Sequence, residues 1–186
     1  ATQPLLHDVN PAKGSIRLAS KPELMPDVGQ LFKALQRVTV NDRRKVGGWT
    51  DQEVAELAAV EMQSSGSCLV IVNTKASARR IFELCASVLA SDAVFHLSTD
   101  MCPAHRKARL ATLLARLNEG LPTLCVSTQL IEAGVDVDFG GVIRFMAGLD
   151  SIAQAAGRCN RNGRRVKGSV YIVNPQVENL DKLPDI

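Results

Sequence analysis

The segment from Gln154 to Arg165 holds the residue types whose spacing most directly suggests chemistry. Arg158 and Arg161 stand three positions apart at the end of a helical pattern, so their guanidinium groups can lie on one side. A guanidinium carries a rigid fork of N–H donors that fits phosphate oxygens, on which charge gathers during phosphoryl transfer. Gly157 leaves room for the close approach of a partner. The pair can therefore serve as arginine fingers; the alternative, common at this spacing, is a solvated or salt-bridging surface pair.

Short polar side chains also follow three of the predicted strands, at the point where each strand ends. Hydroxyl and amide groups can hydrogen-bond phosphate oxygens along a nucleic acid without reading its bases. The alternative is that each residue caps the helix that follows it. Three pairs on one edge favour the nucleic-acid interpretation, and the pairs are Asn73 and Thr74, Ser98 and Thr99, and Ser127 and Thr128.

The segment from Val126 to Phe139 connects the hydroxyl-bearing residues to the arginines. It leaves a buried strand and then enters a turn that holds Gly134 and the carboxylates Asp136 and Asp138. One short stretch of backbone would thus touch both groups of residues. Such a stretch can pass a change at one site to the other.

The elements that must position these residues are short apolar strands alternating with amphipathic helices. Near-continuous apolar runs are typical of parallel strands covered on both faces. The predicted strands are Cys68 to Asn73, Thr123 to Ser127, Val142 to Met146, Ser169 to Asn174, Ala93 to Ser98 and, as an edge strand or hairpin arm, Arg37 to Val40.

Four helices are expected between these strands. The first begins with a capping box, Thr50-x-x-Glu53, and can end at Gly66. The other three cover Ala76 to Ala90, Pro103 to just before Gly120, and a short stretch that starts at Asp150, whose carboxylate can accept the free backbone amides.

Strands and helices alternating at this spacing predict an α/β fold with a doubly wound, mainly parallel sheet and helices on both faces. In such folds ligands gather beyond the carboxyl ends of the strands. We therefore expect the two guanidinium groups, like the hydroxyl groups, at that lip of the sheet.

Composition limits the class of protein. The chain has 186 residues, of which 46% are hydrophobic, which suits one globular domain, and its net charge of +3 is too small to prove a nucleic-acid partner. No apolar stretch is long enough for a membrane span and the N-terminus lacks the charged-then-apolar layout of a signal peptide, so we expect a cytoplasmic protein with no membrane partner. The five widely spaced cysteines indicate reduced thiols and no metal site.

The ordered motifs resemble the second, C-terminal RecA-like lobe of superfamily 2 helicases. The motifs are IVNTKASA at 71–78, VSTQLIEAGVDVDF at 126–139 and QAAGRCNR at 154–161, and the resemblance covers roughly residues 37–174. More specifically, FHLSTDMCPAHR at 95–106 together with these motifs resembles the CRISPR-associated helicase-nuclease of type I interference systems. Residues 1–36 would then be a linker from a first lobe, and residues 175–186 a tail or linker.

The resemblance implies a role for each matching residue. Arg158 and Arg161 would contact the γ-phosphate of ATP, with Gln154 linking nucleotide to the lobe interface. Nucleotide contact and coupling would involve Gly134, Asp136 and Gly157. Single-stranded DNA would be held along its backbone by Asn73, Thr74, Ser127 and Thr128, with Ser98 and Thr99 as further candidates. Expected partners are a first helicase lobe and a nuclease domain of the same parent chain, and a CRISPR surveillance complex.

Two family features are missing from the sequence. It has no phosphate-binding glycine loop with Lys and Ser or Thr and no acidic magnesium motif, so ATP and Mg would be bound mainly by the first lobe. The lobe alone should therefore not hydrolyse ATP. A nuclease needs a cluster of His and Asp, whereas His7, His96 and His105 are the only histidines, of which His96 and His105 are interpreted as structural.

Two other functions stay open. One is a lobe of another superfamily 2 helicase that acts on DNA or RNA. The other is a non-catalytic α/β module that binds a nucleotide or a protein. A dinucleotide-dependent dehydrogenase is disfavoured because no G-x-G-x-x-G follows the first strand.

Overall fold

The structure is a computed structural model that describes residues 27–131 and 135–177. The chain divides after Gln36 into two compact units. The first contains one described helix, α1 (Val28–Ala34). All other elements belong to the unit that begins at Arg37, which contains the candidate sites. No helix in the described ranges has the length and apolar character needed to cross a membrane.

The second unit is built on a six-stranded parallel sheet in the order β1-β6-β5-β2-β4-β3. The edge strand β1, the weakest of the six predicted strands, pairs with the last strand of the chain, so Val38 lies beside Gly168. The strands are β1 (Val38–Asp42), β2 (Ser67–Ile71), β3 (Val94–Leu97), β4 (Thr123–Ser127), β5 (Gly141–Phe145) and β6 (Gly168–Val173).

Four helices connect the strands, and their ends follow local signals in the sequence. They are α2 (Asp51–Ser65), α3 (Lys75–Val88), α4 (Pro103–Asn118) and α5 (Leu149–Ala156). The predicted capping box at the start of α2 is present: Thr50 Oγ1 accepts from the Glu53 backbone N–H, and Glu53 accepts from the Thr50 backbone N–H. Gly66 ends α2 with φ 76°, a left-handed conformation that glycine adopts at little cost.

Apolar side chains alternate along the strands and so form a core on each face of the sheet. One core packs α2 and α3 against residues such as Val70 and Val126, and the other packs α4 and α5 against residues such as Ile71 and Cys125. Helices on both faces of a parallel sheet confirm the predicted doubly wound α/β architecture.

The start of α5 differs from the prediction. The helix begins at Leu149 with Gly148 as its N-cap residue, and no side chain makes a capping hydrogen bond there. Asp150 was expected to accept the free amides as a cap, but it lies inside the first turn. Its carboxylate can still interact with the helix dipole from that position.

The neighbouring strands β2 and β5 are followed by helices on opposite faces, because α3 packs on one face and α5 on the other. This is the topological switch point of the sheet, where doubly wound folds open a crevice at the strand ends. Asn73 follows β2 at this point, and Met146 follows β5.

Candidate nucleotide and nucleic-acid sites

The three polar pairs predicted to contact nucleic acid lie at the carboxyl ends of three adjacent strands. The strands β2, β4 and β3 are neighbours in that order, and the pairs follow them directly. The structure therefore brings all six residues to one edge, which we call the carboxyl edge. Their exposure differs widely: Thr99 is exposed, Asn73 and Thr74 are half-buried, and Ser98, Ser127 and Thr128 are buried.

Several of these side chains make hydrogen bonds within the fold. Ser127 is 0% exposed, and its hydroxyl donates to the Leu97 carbonyl on β3 at 3.1 Å. The Ser98 hydroxyl accepts from the Asp100 backbone N–H at 3.2 Å. Thr74 is the N-cap residue of α3, as the capping alternative predicted, because its hydroxyl accepts from the Ser77 backbone N–H at 3.2 Å. Thr99, beyond the end of β3, remains open to solvent.

Asn73 lies at the switch point and contacts β5 and the loop after it. Its Nδ2 donates to the Met146 carbonyl at 3.0 Å, and its Oδ1 accepts from Arg144 Nη1 at 2.6 Å. Arg144 lies on β5, is 0% exposed and also donates to the Phe145 carbonyl at 3.0 Å. The amide therefore ties the end of β2 to the end of β5.

A cavity of about 430 Å³ lies at the carboxyl end of the edge strand β3. Lys75 and Arg79 from the start of α3 line one side, where Lys75 Nζ forms an ion pair with Asp100 at 2.5 Å. His96 lies on β3 and stacks on Phe82 with ring centroids 5.3 Å apart. Burial lowers the pKa of His96, which favours the neutral imidazole.

The two arginines lie at the opposite edge of the sheet, so the prediction that they sit at the strand carboxyl ends is wrong. The Arg158 carbonyl accepts from the Phe139 backbone N–H at 2.9 Å, and the Asn160 backbone N–H donates to the Phe139 carbonyl at 2.8 Å. Phe139 directly precedes β5, so these residues lie at the amino edge of the sheet.

The length of α5 explains this placement. The helix starts after the carboxyl end of β5 and returns toward the beginning of β6. Its 8 residues span about 12 Å. A strand of 5 residues such as β5 is about 16 Å long. The residues after the helix therefore emerge beside the beginnings of the strands.

Arg161 is fixed through its backbone, but its side chain is only weakly held. Its backbone N–H donates to Asp138 Oδ1 at 2.8 Å, and its carbonyl accepts from the Arg37 guanidinium. Its Nε lies 2.9 Å from Asp136 Oδ1 in an ion pair whose side chains are 44% and 83% exposed. The pair joins two residues predicted to serve the nucleotide, and its exposure limits its strength.

The other residues predicted to serve the nucleotide lie on α5, in the turn after it, or outside the described residues. Arg158 is half-buried in the turn after α5, and Gln154 is exposed on that helix. Gly157 ends α5 with φ −65°, an ordinary helical value, and a Cβ there would lie 3.3 Å from the Gln154 carbonyl. Gly134 lies outside the described residues.

The connection between β4 and β5 runs from the carboxyl edge to the amino edge. It begins with Thr128 after β4 and ends with Phe139 before β5. Ile131, Val137 and Phe139 are buried in the core that contains α4 and α5. This crossover therefore joins the two groups of predicted site residues across one face of the sheet.

Sequence reasoning missed three residues that organise these sites. Arg144 could have been identified from the sequence, because it is a single arginine that interrupts the apolar run from Val142 to Met146. Asn160 and Arg37 carry no comparable signal, since their importance comes from contacts between distant parts of the chain. Within residues 27–131 and 135–177, no group of three or more His, Cys, Asp or Glu could hold a metal ion.

Comparison with known proteins gives concordant matches. A family model described as "CRISPR-associated nuclease/helicase Cas3, C-terminal" matches residues 64–164. The CRISPR-associated nuclease/helicase Cas3 of Haloferax volcanii is 60% identical over 42 residues, which are 23% of this chain and 4% of that protein.

Solved structures also match the fold. Cas3 of T. fusca with ADP has a TM-score of 0.63 at 20% identity, over 77% of this chain and 19% of that chain. The DUF1998 helicase MrfA bound to DNA and AMPPNP has a TM-score of 0.58 at 19% identity, over 75% of this chain and 20% of that chain. At these identities the structures establish a shared fold, and the chain spans about a fifth of each.

Proposed function

Since the chain belongs to the family of C-terminal domains of the CRISPR-associated nuclease/helicase Cas3, we propose that it is the second motor lobe of an ATP-dependent single-stranded DNA helicase in CRISPR interference. The lobe itself would be residues 37–174, with 1–36 and 175–186 as its connections. A first lobe and a nuclease domain would belong to the same parent protein. A CRISPR surveillance complex in the cytoplasm would recruit that parent.

The observation that carries this proposal is the crossover from Thr128 to Phe139. It starts among the hydroxyl-bearing residues of the carboxyl edge and ends in backbone hydrogen bonds with Arg158 and Asn160. The buried side chains of Ile131, Val137 and Phe139 pack its described parts against the sheet, so a displacement at one end can be transmitted to the other. A motor needs such a link between the bound nucleotide and the DNA strand along which it moves.

In this mechanism ATP is bound mainly by the first lobe together with Mg, and this lobe supplies the arginines. Arg158 and Arg161 approach the γ-phosphate and stabilise the charge that develops on its oxygens. To do so, the Arg161 side chain must leave Asp136. An exposed ion pair of this kind contributes at most about 1 kcal/mol of stability, so separating Arg161 from Asp136 costs little free energy.

At the carboxyl edge, the lobe would hold the DNA backbone. Thr99, Asn73 and Thr74 are the accessible members of the row, while Ser98 and Ser127 support it from within. Contacts to phosphate alone leave the strand free to slide, because they do not read bases. Closure of the two lobes around ATP would then move this row along the strand.

The experiment measures DNA-stimulated ATPase of the full-length parent carrying Arg158→Ala or Arg161→Ala. Loss of an arginine finger is expected to reduce turnover about a thousandfold or more. Arg164→Ala is the matched control, because Arg164 is an exposed arginine of the same loop. The 186-residue chain alone should show no ATPase. Near-normal turnover in both finger variants would contradict the proposal.

A helicase of another pathway is the second candidate, because the MrfA lobe shares this fold nearly as closely. The same assay separates the two when stimulation by single-stranded DNA is compared with that by RNA. A non-catalytic module predicts a different result. In that case a first lobe added to this chain would restore no nucleic-acid-stimulated ATPase.

A further inference from the structure

Asn160 lies between the two arginines and has an unusual backbone conformation. Its φ is 46°, and within the described part of the chain it is the single non-glycine residue with positive φ. Its side chain is 0% exposed. A buried polar residue in a left-handed conformation is held there by its surroundings, and such positions cluster at functional sites.

The amide of Asn160 binds three backbone groups from two segments. Its Nδ2 donates to the Arg37 carbonyl at 3.0 Å and to the Arg165 carbonyl at 2.8 Å. Its Oδ1 accepts from the Arg165 backbone N–H at 3.0 Å. The loop from 160 to 165 is thereby closed on itself and attached to the residue that precedes β1.

These bonds fix the backbone on both sides of the arginine pair. Phe139 exchanges two hydrogen bonds with this turn, one with the Arg158 carbonyl and one with the Asn160 N–H. The Arg161 carbonyl accepts from Arg37, whose own carbonyl is bound by Asn160. The backbone direction at Asn160 therefore determines how far apart the two guanidinium groups emerge.

Asparagine suits this position for two separate reasons. It tolerates the left-handed region better than other residues with a Cβ, because its short side chain bonds locally. Its amide also offers two donors and an acceptor, and all three partners here are backbone groups. Glycine would keep the conformation without the bonds, whereas aspartate would place a carboxylate oxygen against two carbonyl oxygens.

We propose that Asn160 is the positioning residue for Arg158 and Arg161, setting their separation and direction toward the transferred phosphoryl group. The inference rests on the proposed function, because it requires that the arginines act on ATP. Asn160 itself touches no reacting atom. Its effect passes through the backbone of the loop.

The test uses the full-length parent with Asn160→Gly and Asn160→Asp, and Asn162→Ala as the matched control. Asn162 lies two positions further along the same loop and is exposed. For each variant, DNA-stimulated ATPase gives kcat and the KM for ATP. Limited proteolysis gives the fraction of molecules in which this lobe is folded.

We expect kcat to fall about tenfold to a hundredfold in both Asn160 variants, as displacement of catalytic groups by about 1 Å can do. The KM for ATP and the folded fraction should remain near those of the unsubstituted protein, and Asn162→Ala should retain its kcat. A folded fraction that falls in step with kcat would overturn the proposal, because it would mean that Asn160 only maintains the folded lobe.

The arginine variants, measured side by side, separate this inference from the proposed function. Loss of turnover in Arg158→Ala and Arg161→Ala with normal kcat in both Asn160 variants overturns the positioning role alone. Normal turnover in the arginine variants overturns the proposed function, and the positioning role with it.

Discussion

Arg144 shows how a single buried charge can organise the end of a sheet. An arginine is seldom fully buried unless its donors are satisfied, and this one donates to Asn73 Oδ1 at 2.6 Å and to the Phe145 carbonyl. The sequence predicts that Asn73 contacts DNA, but in the structure its amide forms hydrogen bonds that join the ends of β2 and β5. A residue at the switch point can thus combine a structural and a ligand-binding task.

Asn73→Ala should lower the free energy of unfolding of this chain by about 1.5–3 kcal/mol, because a buried guanidinium loses its charge-assisted hydrogen bond. Urea denaturation measures the change. Thr99→Ala is the control, since Thr99 is exposed at the same edge and should change stability by less than about 0.5 kcal/mol.

A second variant tests the cause of this loss. In an Arg144→Met background the buried charge is gone. Adding Asn73→Ala there should lower the free energy of unfolding by less than it does in the unsubstituted chain. Equal costs in the two backgrounds would show that the Arg144–Asn73 contact does not stabilise the fold.

At the scale of elements, the start of α2 combines a capping box with an ion pair. Lys45 Nζ lies 2.6 Å from Glu53 Oε1, while Glu53 also accepts from the Thr50 backbone N–H. Mainly through the hydrogen bond from Lys45, and then that from Thr50, these contacts lower the pKa of Glu53 from 4.5 to about 2. The ionised carboxylate is therefore favoured in the folded chain.

A carboxyl with a lowered folded-state pKa stabilises the fold above its ordinary pKa and loses this contribution as the pH falls through the folded-state value. The difference in the free energy of unfolding between the unsubstituted 186-residue chain and its Glu53→Gln variant should therefore be constant near neutral pH. It should shrink between about pH 4.5 and pH 2. Denaturant midpoints measured across this range test it.

The ion pair offers an internal control for this titration. Lys45→Met removes the main cause of the lowered pKa, so the pH-dependent part of the Glu53→Gln effect should be smaller in that background. If Glu53→Gln changes the free energy of unfolding by the same amount at every pH when Lys45 is present, the role assigned to the Glu53 carboxylate is contradicted.

The sequence allowed all six strands and the four helices that connect them to be predicted because each has a local signal, such as an apolar run, an amphipathic pattern or a capping pattern. The helix α1 was not predicted, because it lies in the segment interpreted as a linker. The order of the strands has no such signal, since β2 finds its neighbours β4 and β5 only when the chain folds. The arginines were assigned to the wrong edge for a related reason. Residue types predicted the α5 helix, but its direction across the sheet decided where Arg158 emerged.

At the scale of the whole molecule, burial separates the five cysteines into two groups. Four are buried, and burial raises the thiol pKa of Cys85 and Cys159 to about 12 and that of Cys68 and Cys125 well above its ordinary value. Cys102 is exposed at the start of α4. Because the thiolate is the reactive form, the buried group should be inert in the folded protein.

A thiol-reactive disulfide reagent should therefore label one equivalent quickly in the native chain and all five in denaturant. Cys102→Ser should abolish the fast phase. Two or more fast equivalents in the native chain would show that the core opens more readily than its packing indicates. The remaining cysteines should react at the rate of unfolding.

The pairing of β1 with β6 joins the earliest and the latest strands of the sheet, because Val38 lies beside Gly168. During synthesis on the ribosome, β1 cannot find its hydrogen-bonding partner until nearly the whole domain has emerged. The strands β3, β4, β2 and β5 are complete earlier and can pair with one another, which leaves β5 as an unpaired edge until β6 emerges. Such long-range closure slows folding and exposes an unpaired strand to other chains. Nascent domains of this topology should therefore depend on chaperones until β6 is complete.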